Sequence, residues 1–154
     1  MTEVFRVRSF PITEAGGNPA PTVINAKAMS SEEMRRVATY FGHECGFVLP
    51  PDNADEADFR FRFFVPHHEM EMCGHATIGA LWVLREQQKI KGPQVSVETM
   101  AGQINALVPR DGPVSVSQPV AEITEVDPAL IQNVLSVLGL VTSDLLHPDM
   151  LNAC

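Results

Sequence analysis

The chain has 154 residues, and the side chains able to do chemistry fall in a few short strings. His43 and Glu44 follow a glycine that ends a helical stretch and precede the apolar run Cys45 to Leu49. A carboxylate beside the negative end of a helix is electrostatically unfavourable. Set among Phe41, Cys45, Gly46, Phe47 and Val48, Glu44 is a candidate for a raised pKa and for general acid or base work. The plainer alternative is a solvated charge at a helix end. Cys73-Gly74-His75 stands just ahead of a nearly all-apolar segment. Backbone N–H groups at a helix start can hold a carboxylate or another anion. Gly74 lets such a ligand approach closely, and Cys73 lies where the positive helix end lowers a thiol pKa. The alternative is a small buried thiol and a capping histidine. Gly17-Asn18-Pro19 is either a turn or a loop that offers the Asn18 amide to a ligand.

His67, His68, Glu69, Glu71, Cys73 and His75 invite a metal reading. Their spacing matches neither the paired-cysteine zinc patterns nor the helical His-Glu-x-x-His arrangement. No metal is expected, and a polar loop near a cleft is the better account.

The elements that must position these groups are legible in outline. Glu3 to Phe10 alternates as an opening strand. Pro11 to Pro21 is a constrained loop, and Thr22 to Asn25 a short strand. Ser30 to Gly42 is a helix: Ser30 and Glu33 form a capping box with Met29 and Met34 at the staple positions. Its core stripe is Met34, Val37, Ala38 and Phe41, and Gly42 stops it. A strand follows over Gly46 to Leu49, then a polar loop to Ala57. Asp58 to Val65 is a strand with Phe59, Phe61 and Phe63 in the core and Arg60 and Arg62 on a solvated face. Pro66 to Gly74 reads as irregular. His75 to Ile90 is a helix whose first half, including Trp82, is surrounded by protein on most sides. Val95 to Thr99, Gln103 to Val108 and Val114 to Gln118 form a meander. Asp127 caps a third helix, Ala129 to Leu138, with Pro128 in its first turn. Val141 to Cys154 shows no pattern. The sum is α+β, a curved antiparallel sheet or partial barrel around a buried central helix.

Composition excludes several classes. Hydrophobic residues are 45% and charged residues 19% of the chain, which is globular and not disordered or fibrous. The longest apolar stretch, Ala76 to Leu84, is far short of the roughly 18 residues of a bilayer span. Met1 to Phe10 contains no signal-peptide core. A formal charge of −8 repels phosphate backbones, so nucleic acid is not an expected partner. Cys45, Cys73 and Cys154 form no disulfide framework. A soluble, cytoplasmic protein without membrane contact is expected.

Taken in order, these pieces resemble the N-terminal half of the PhzF-like phenazine-biosynthesis family, which shares the diaminopimelate-epimerase-like fold. The likeness rests on Phe10, Gly17-Asn18-Pro19, Met34 to Phe41 leading to Glu44, and Phe47-Val48-Leu49. It continues through Arg62-Phe63-Phe64-Val65-Pro66, Glu69 and Cys73-Gly74-His75-Ala76-Thr77-Ile78-Gly79-Ala80. It implies two pseudo-symmetric lobes, each a curved sheet around a central helix, with the active site between them. In the family's isomerase a glutamate moves a proton between carbon atoms of a small carboxylate-bearing substrate, without metal or organic cofactor. Glu44 matches that glutamate and His75 a histidine lining the pocket. Asn18, Cys73 and Gly74 fall at ligand-contacting positions.

The chain departs from this pattern in two places. Cys73-Gly74 also resembles the first catalytic cysteine of diaminopimelate epimerase, which keeps an amino-acid epimerase or racemase using Cys73 open. The Asp and Gly-rich turn of the family's second lobe do not follow Pro119. The expected organisation is an N-terminal lobe, 1–118, and a truncated start of the second, 119–154. Little or no turnover is expected from this length alone. A non-catalytic half-length binding or dimerisation module is the further alternative. In it, Leu130, Ile131, Val134, Leu135 and Leu138 of the third helix would be exposed and two chains would pair as a homodimer.

Overall fold

Alternation along the strands gives the first part of the chain two apolar sheet faces, and one helix covers each. The structure is a computed structural model that describes residues 3–13, 15–118, 124–145 and 152–153. It divides into two units, Met1–Gln118 and Pro119–Cys154.

The first unit runs β1 (Phe5–Ser9), β2 (Asn18–Val23), α1 (Ser31–Phe41), β3 (Cys45–Leu49), β4 (Phe59–Phe64), β5 (Glu69–Met70), α2 (Gly74–Glu86), β6 (Gln94–Thr99), β7 (Gly102–Leu107) and β8 (Ser115–Val116). Its sheet has the order β1-β2-β3-β4-β6-β7-β8, with β5 added to β4. The α+β class and the curled sheet around a helix hold, but the sheet is mixed and not antiparallel throughout. β2 and β3 are parallel, as are β4 and β6. Each of these connections carries a helix, α1 and α2 respectively, and a helical crossover is what returns a strand in the same direction. The meander β6-β7-β8 is antiparallel as expected.

On the inner face Ala20, Val48, Phe61, Phe63, Val97 and Ile104 pack with Ala76, Ala80, Leu81 and Leu84 of α2. On the outer face Val23, Cys45, Phe47 and Phe64 pack with Met34 and Ala38 of α1. Phe47 and Phe64 meet edge to face, 5.7 Å between centroids, a favoured aromatic geometry. The capping box of Ser30 and Glu33 is formed, and Gly42 closes α1 in the left-handed conformation. Arg60 and Arg62 are not simply solvated. Arg60 pairs with Asp52. Arg62 forks onto both oxygens of Glu69 and also donates to Ser31 Oγ. That pairing turns part of the expected irregular segment 66–74 into β5.

α2 is buried at seven of its residues. Gly79 allows its close approach: a Cβ there would lie 3.1 Å from Val7 Cγ1 and 3.3 Å from Ser9 Oγ. Trp82 departs from the expected enclosure. It is 45% exposed, in a groove between β1 and Gly112–Val114. Among the described residues no helix is long and apolar enough to cross a membrane.

In the second unit β9 (Thr124–Glu125) pairs with β10 (Asn152–Ala153). Between them lies α3 (Pro128–Leu138), where Asp127 accepts from the Ala129 N–H at 2.8 Å. Leu135 of the anticipated exposed stripe is buried, whereas Leu130, Val134 and Leu138 are about half exposed or more. Val120 and Cys154 lie outside the described residues.

Two consequences are testable. Gly79→Val forces branched carbon into the β1 contact and lowers the unfolding free energy by about 1–3 kcal/mol, read in urea. Burial, and secondarily the Glu44 charge, push the Cys45 thiol from its ordinary 9.0 up to about 12. Below pH 9 both states hold the proton; above it the unfolded chain releases it first, so stability falls as pH rises toward 12. Urea midpoints at pH 8 and 10 should show that fall, and a shallower one in Cys45→Ala.

Candidate active site

The site is assembled where the ends of β1 and β2 meet the first turn of α2. Ser9 closes β1 and stands opposite Asn18, the first residue of β2. Gly17 makes this junction possible, with φ of +89° and room for no side chain: a Cβ would meet the Ser9 carbonyl oxygen at 2.8 Å. That conformation is open to glycine and strained for others. Ser9 is buried, and its hydroxyl donates to the His75 carbonyl at 2.7 Å. The strand end and the helix start are thereby tied together.

Cys73 precedes α2 in an extended conformation, and no side chain caps the helix. Its carbonyl accepts both the Thr77 N–H, at 2.9 Å, and the Thr77 hydroxyl, at 2.8 Å. The Gly74 and His75 amides, like those of any first turn, have no helical carbonyl to bond. The His75 ring lies between two partners. Nε2 is 3.3 Å from the Pro19 carbonyl oxygen and Nδ1 is 3.4 Å from Cys73 Sγ. A carbonyl only accepts, so Nε2 carries the proton and, in the neutral ring, the thiol donates to Nδ1.

β3 brings Glu44 to this place. Gly46 of β3 faces α2: a Cβ there would be in ordinary contact with the Ala76 carbonyl oxygen, at 3.7 Å. Glu44 directly precedes β3 and is half-buried. Its charge is felt by both Cys45 and Cys73. The Cys73 thiol is raised by burial first, lowered by the Ala76 N–H, and raised again by Glu44. This reverses the sequence expectation. The helix end does favour the thiolate, but the cost of desolvating it is larger.

Cys73, Gly74 and His75 are brought together at the start of α2, Glu44 lies near enough for its charge to act on Cys73, and Asn18 stands beside the Pro19 carbonyl that His75 meets. Asn18 is exposed at a strand start and not in a free turn. His67 and His68 are exposed, and Glu69 is engaged by Arg62. Among the described residues no three His, Cys, Asp or Glu side chains gather as a metal site. Two residues escaped the sequence reading. Ser9 is one; a small polar residue ending a strand was its only signal. Gln118 is the other: its Nε2 lies 3.8 Å from where a Cβ on Gly74 would stand. Nothing in the local sequence marks it, because the contact joins residues far apart in the chain.

The arrangement offers a half-buried carboxylate, an imidazole of fixed orientation and a helix start open at its smallest residue. The whole chain has known relatives. A family model described as phenazine biosynthesis-like protein matches residues 7–150. An uncharacterized isomerase of Bacillus subtilis is 34% identical over 102 residues, covering 65% of this chain and 34% of its own. Another from Deinococcus radiodurans is 32% identical, covering 68% and 33%. The chain spans about a third of the length of these curated relatives. A Bacillus anthracis phenazine biosynthesis protein of the PhzF family superposes with a TM-score of 0.64 at 36% identity, covering 69% of this chain and 35% of that one. A predicted epimerase of Pseudomonas aeruginosa shares the fold, with a TM-score of 0.75 at 20% identity over 95% of this chain and 53% of that one. The chain belongs to the phenazine biosynthesis-like, PhzF family.

Proposed function

We propose that this chain carries the Glu44 half of an isomerase site that moves a proton on a small carboxylate-bearing substrate. The observation that carries the reading is the half-buried Glu44 carboxylate whose charge reaches Cys73 at the start of α2. The Gly74 and His75 amides hold the substrate carboxylate, where the helix end favours negative charge. Gly74 keeps the approach clear, and His75, fixed by the Pro19 carbonyl, orients the ligand. Glu44 then takes a proton from carbon and returns it elsewhere. A positioned acid or base of this kind contributes about 10²–10⁴-fold. The relatives' description as isomerases supports the reaction class. Net isomerisation, which needs a group on the opposite face of the substrate, is expected to be slight from residues 1–154 alone.

Carbon-bound proton exchange needs only one base and tests the role directly. A panel of cyclic and amino-acid carboxylates is incubated with the chain in D₂O, and deuterium wash-in is followed by NMR. Wash-in is expected with wild type and with Cys73→Ser, and is abolished in Glu44→Gln. No wash-in with any member, or wash-in that survives Glu44→Gln, overturns the assignment.

The second reading, a Cys73 epimerase, draws on the 3.4 Å contact between Cys73 and His75 Nδ1. The raised thiol pKa weighs against it. Loss of wash-in with Cys73→Ser and its retention in Glu44→Gln would select it. Exposed apolar residues on α3 support self-association of the chain as a homodimer. Light scattering that finds a monomer at micromolar concentration would exclude that.

A further inference from the structure

On the outer face of the sheet, away from α2, lies a groove that the site above does not use. β1 alternates, so Val7 and Ser9 turn toward Gly79 while Arg6 and Arg8 turn outward. Same-face neighbours on a strand stand about 7 Å apart. Across the β1–β2 ladder Arg6 faces Pro21 and Arg8 faces Pro19. The end of α1 supplies the other wall, with Tyr40, Phe41 and, just beyond, His43. The open groove has a volume of about 360 Å³, within the usual range for small-molecule sites.

Two same-face arginines, both held in place, mark this groove. Arg35, Arg60, Arg62 and Arg85 each reach a carboxylate. Arg6 and Arg8, like Arg36 and Arg110, reach none among the described residues. Both are nevertheless held in place. The Arg6 guanidinium sits 5.7 Å over the Phe41 ring centroid, and Arg8 Nη1 donates to the Ala15 carbonyl at 3.0 Å. Two oriented guanidiniums with no carboxylate partner among the described residues, and an imidazole beside them, offer fork-shaped donors to an anion. The prolines and Tyr40, which is 79% exposed, offer apolar surface to whatever carries that anion.

We infer that this groove binds a small anion bearing an apolar ring, of the aromatic carboxylate class, at a site separate from Glu44 and His75. β2 divides the two: the Pro19 carbonyl accepts from His75, while Pro19, paired with Arg8 across the ladder, also lines the groove.

The test titrates the isotopically labelled 154-residue chain with benzoate, and in parallel with inorganic phosphate, following backbone amide shifts. Benzoate is expected to produce saturable shifts at Arg6, Arg8, Tyr40 and His43. The Arg6→Gln/Arg8→Gln variant, altered only at exposed positions, weakens that binding about ten-fold or more, since charged hydrogen bonds are lost. Tyr40→Ala weakens benzoate and leaves phosphate unchanged, which keeps the test alive should the double variant fail to fold. Phosphate, lacking a ring, binds more weakly than benzoate. Shifts confined to Gly74 and its neighbours, no saturation, equal affinity for the two anions, or indifference to the variants each overturn the proposal.

Discussion

The close approach of α2 to the first three strands is the constraint on which the rest of this structure depends. It requires a small residue at Gly79, which leaves Val7 and Ser9 nearly no slack, while Gly46 lets β3 lie within ordinary contact of Ala76. Only at this distance can the Ser9 hydroxyl reach the His75 carbonyl and the His75 ring reach Pro19. A larger side chain at Gly79 would lift the helix, and the histidine, the thiol and the glutamate would separate. Precision at the site is thus a packing property before it is an electrostatic one, because close-packed interiors do not yield gradually.

Electrostatics then decides what the assembled groups can do. Two influences compete at Cys73: a helix start that favours negative charge and an interior that disfavours it. Burial prevails, and Glu44 adds to it. A thiol kept neutral is a hydrogen-bond donor to His75 and a poor nucleophile. That weighs against thiol chemistry at this helix start and is in keeping with the proposal that Glu44 carries the proton.

Much of this was legible in the sequence. The capping box at Ser30, the phenylalanine stripe of β4 and the meander β6-β7-β8 are set by local rules of capping, alternation and turns, and they appear where those rules place them. Glu44, Gly74 and His75 were marked by position relative to helix ends. The parallel pairings, β5 and the Gln118 approach to Gly74 were not legible, because each joins residues distant in the chain. The Cys73 shift was misread for a related reason. Helix polarity can be inferred from neighbours, whereas burial depends on the whole fold. Arg62 shows the same limit: alternation put it outward, but Glu69 and Ser31 were needed to make it a tie between α1, β4 and β5.

The half-exposed Trp82 has a use beyond packing. It is the single tryptophan in the chain, carried on the central helix but at the face left open between β1 and Gly112–Val114. Its indole therefore serves as a built-in fluorescent reporter of the wetness of that gap. Emission from a wet indole would shift to the blue whenever anything, internal or foreign, settles into that gap.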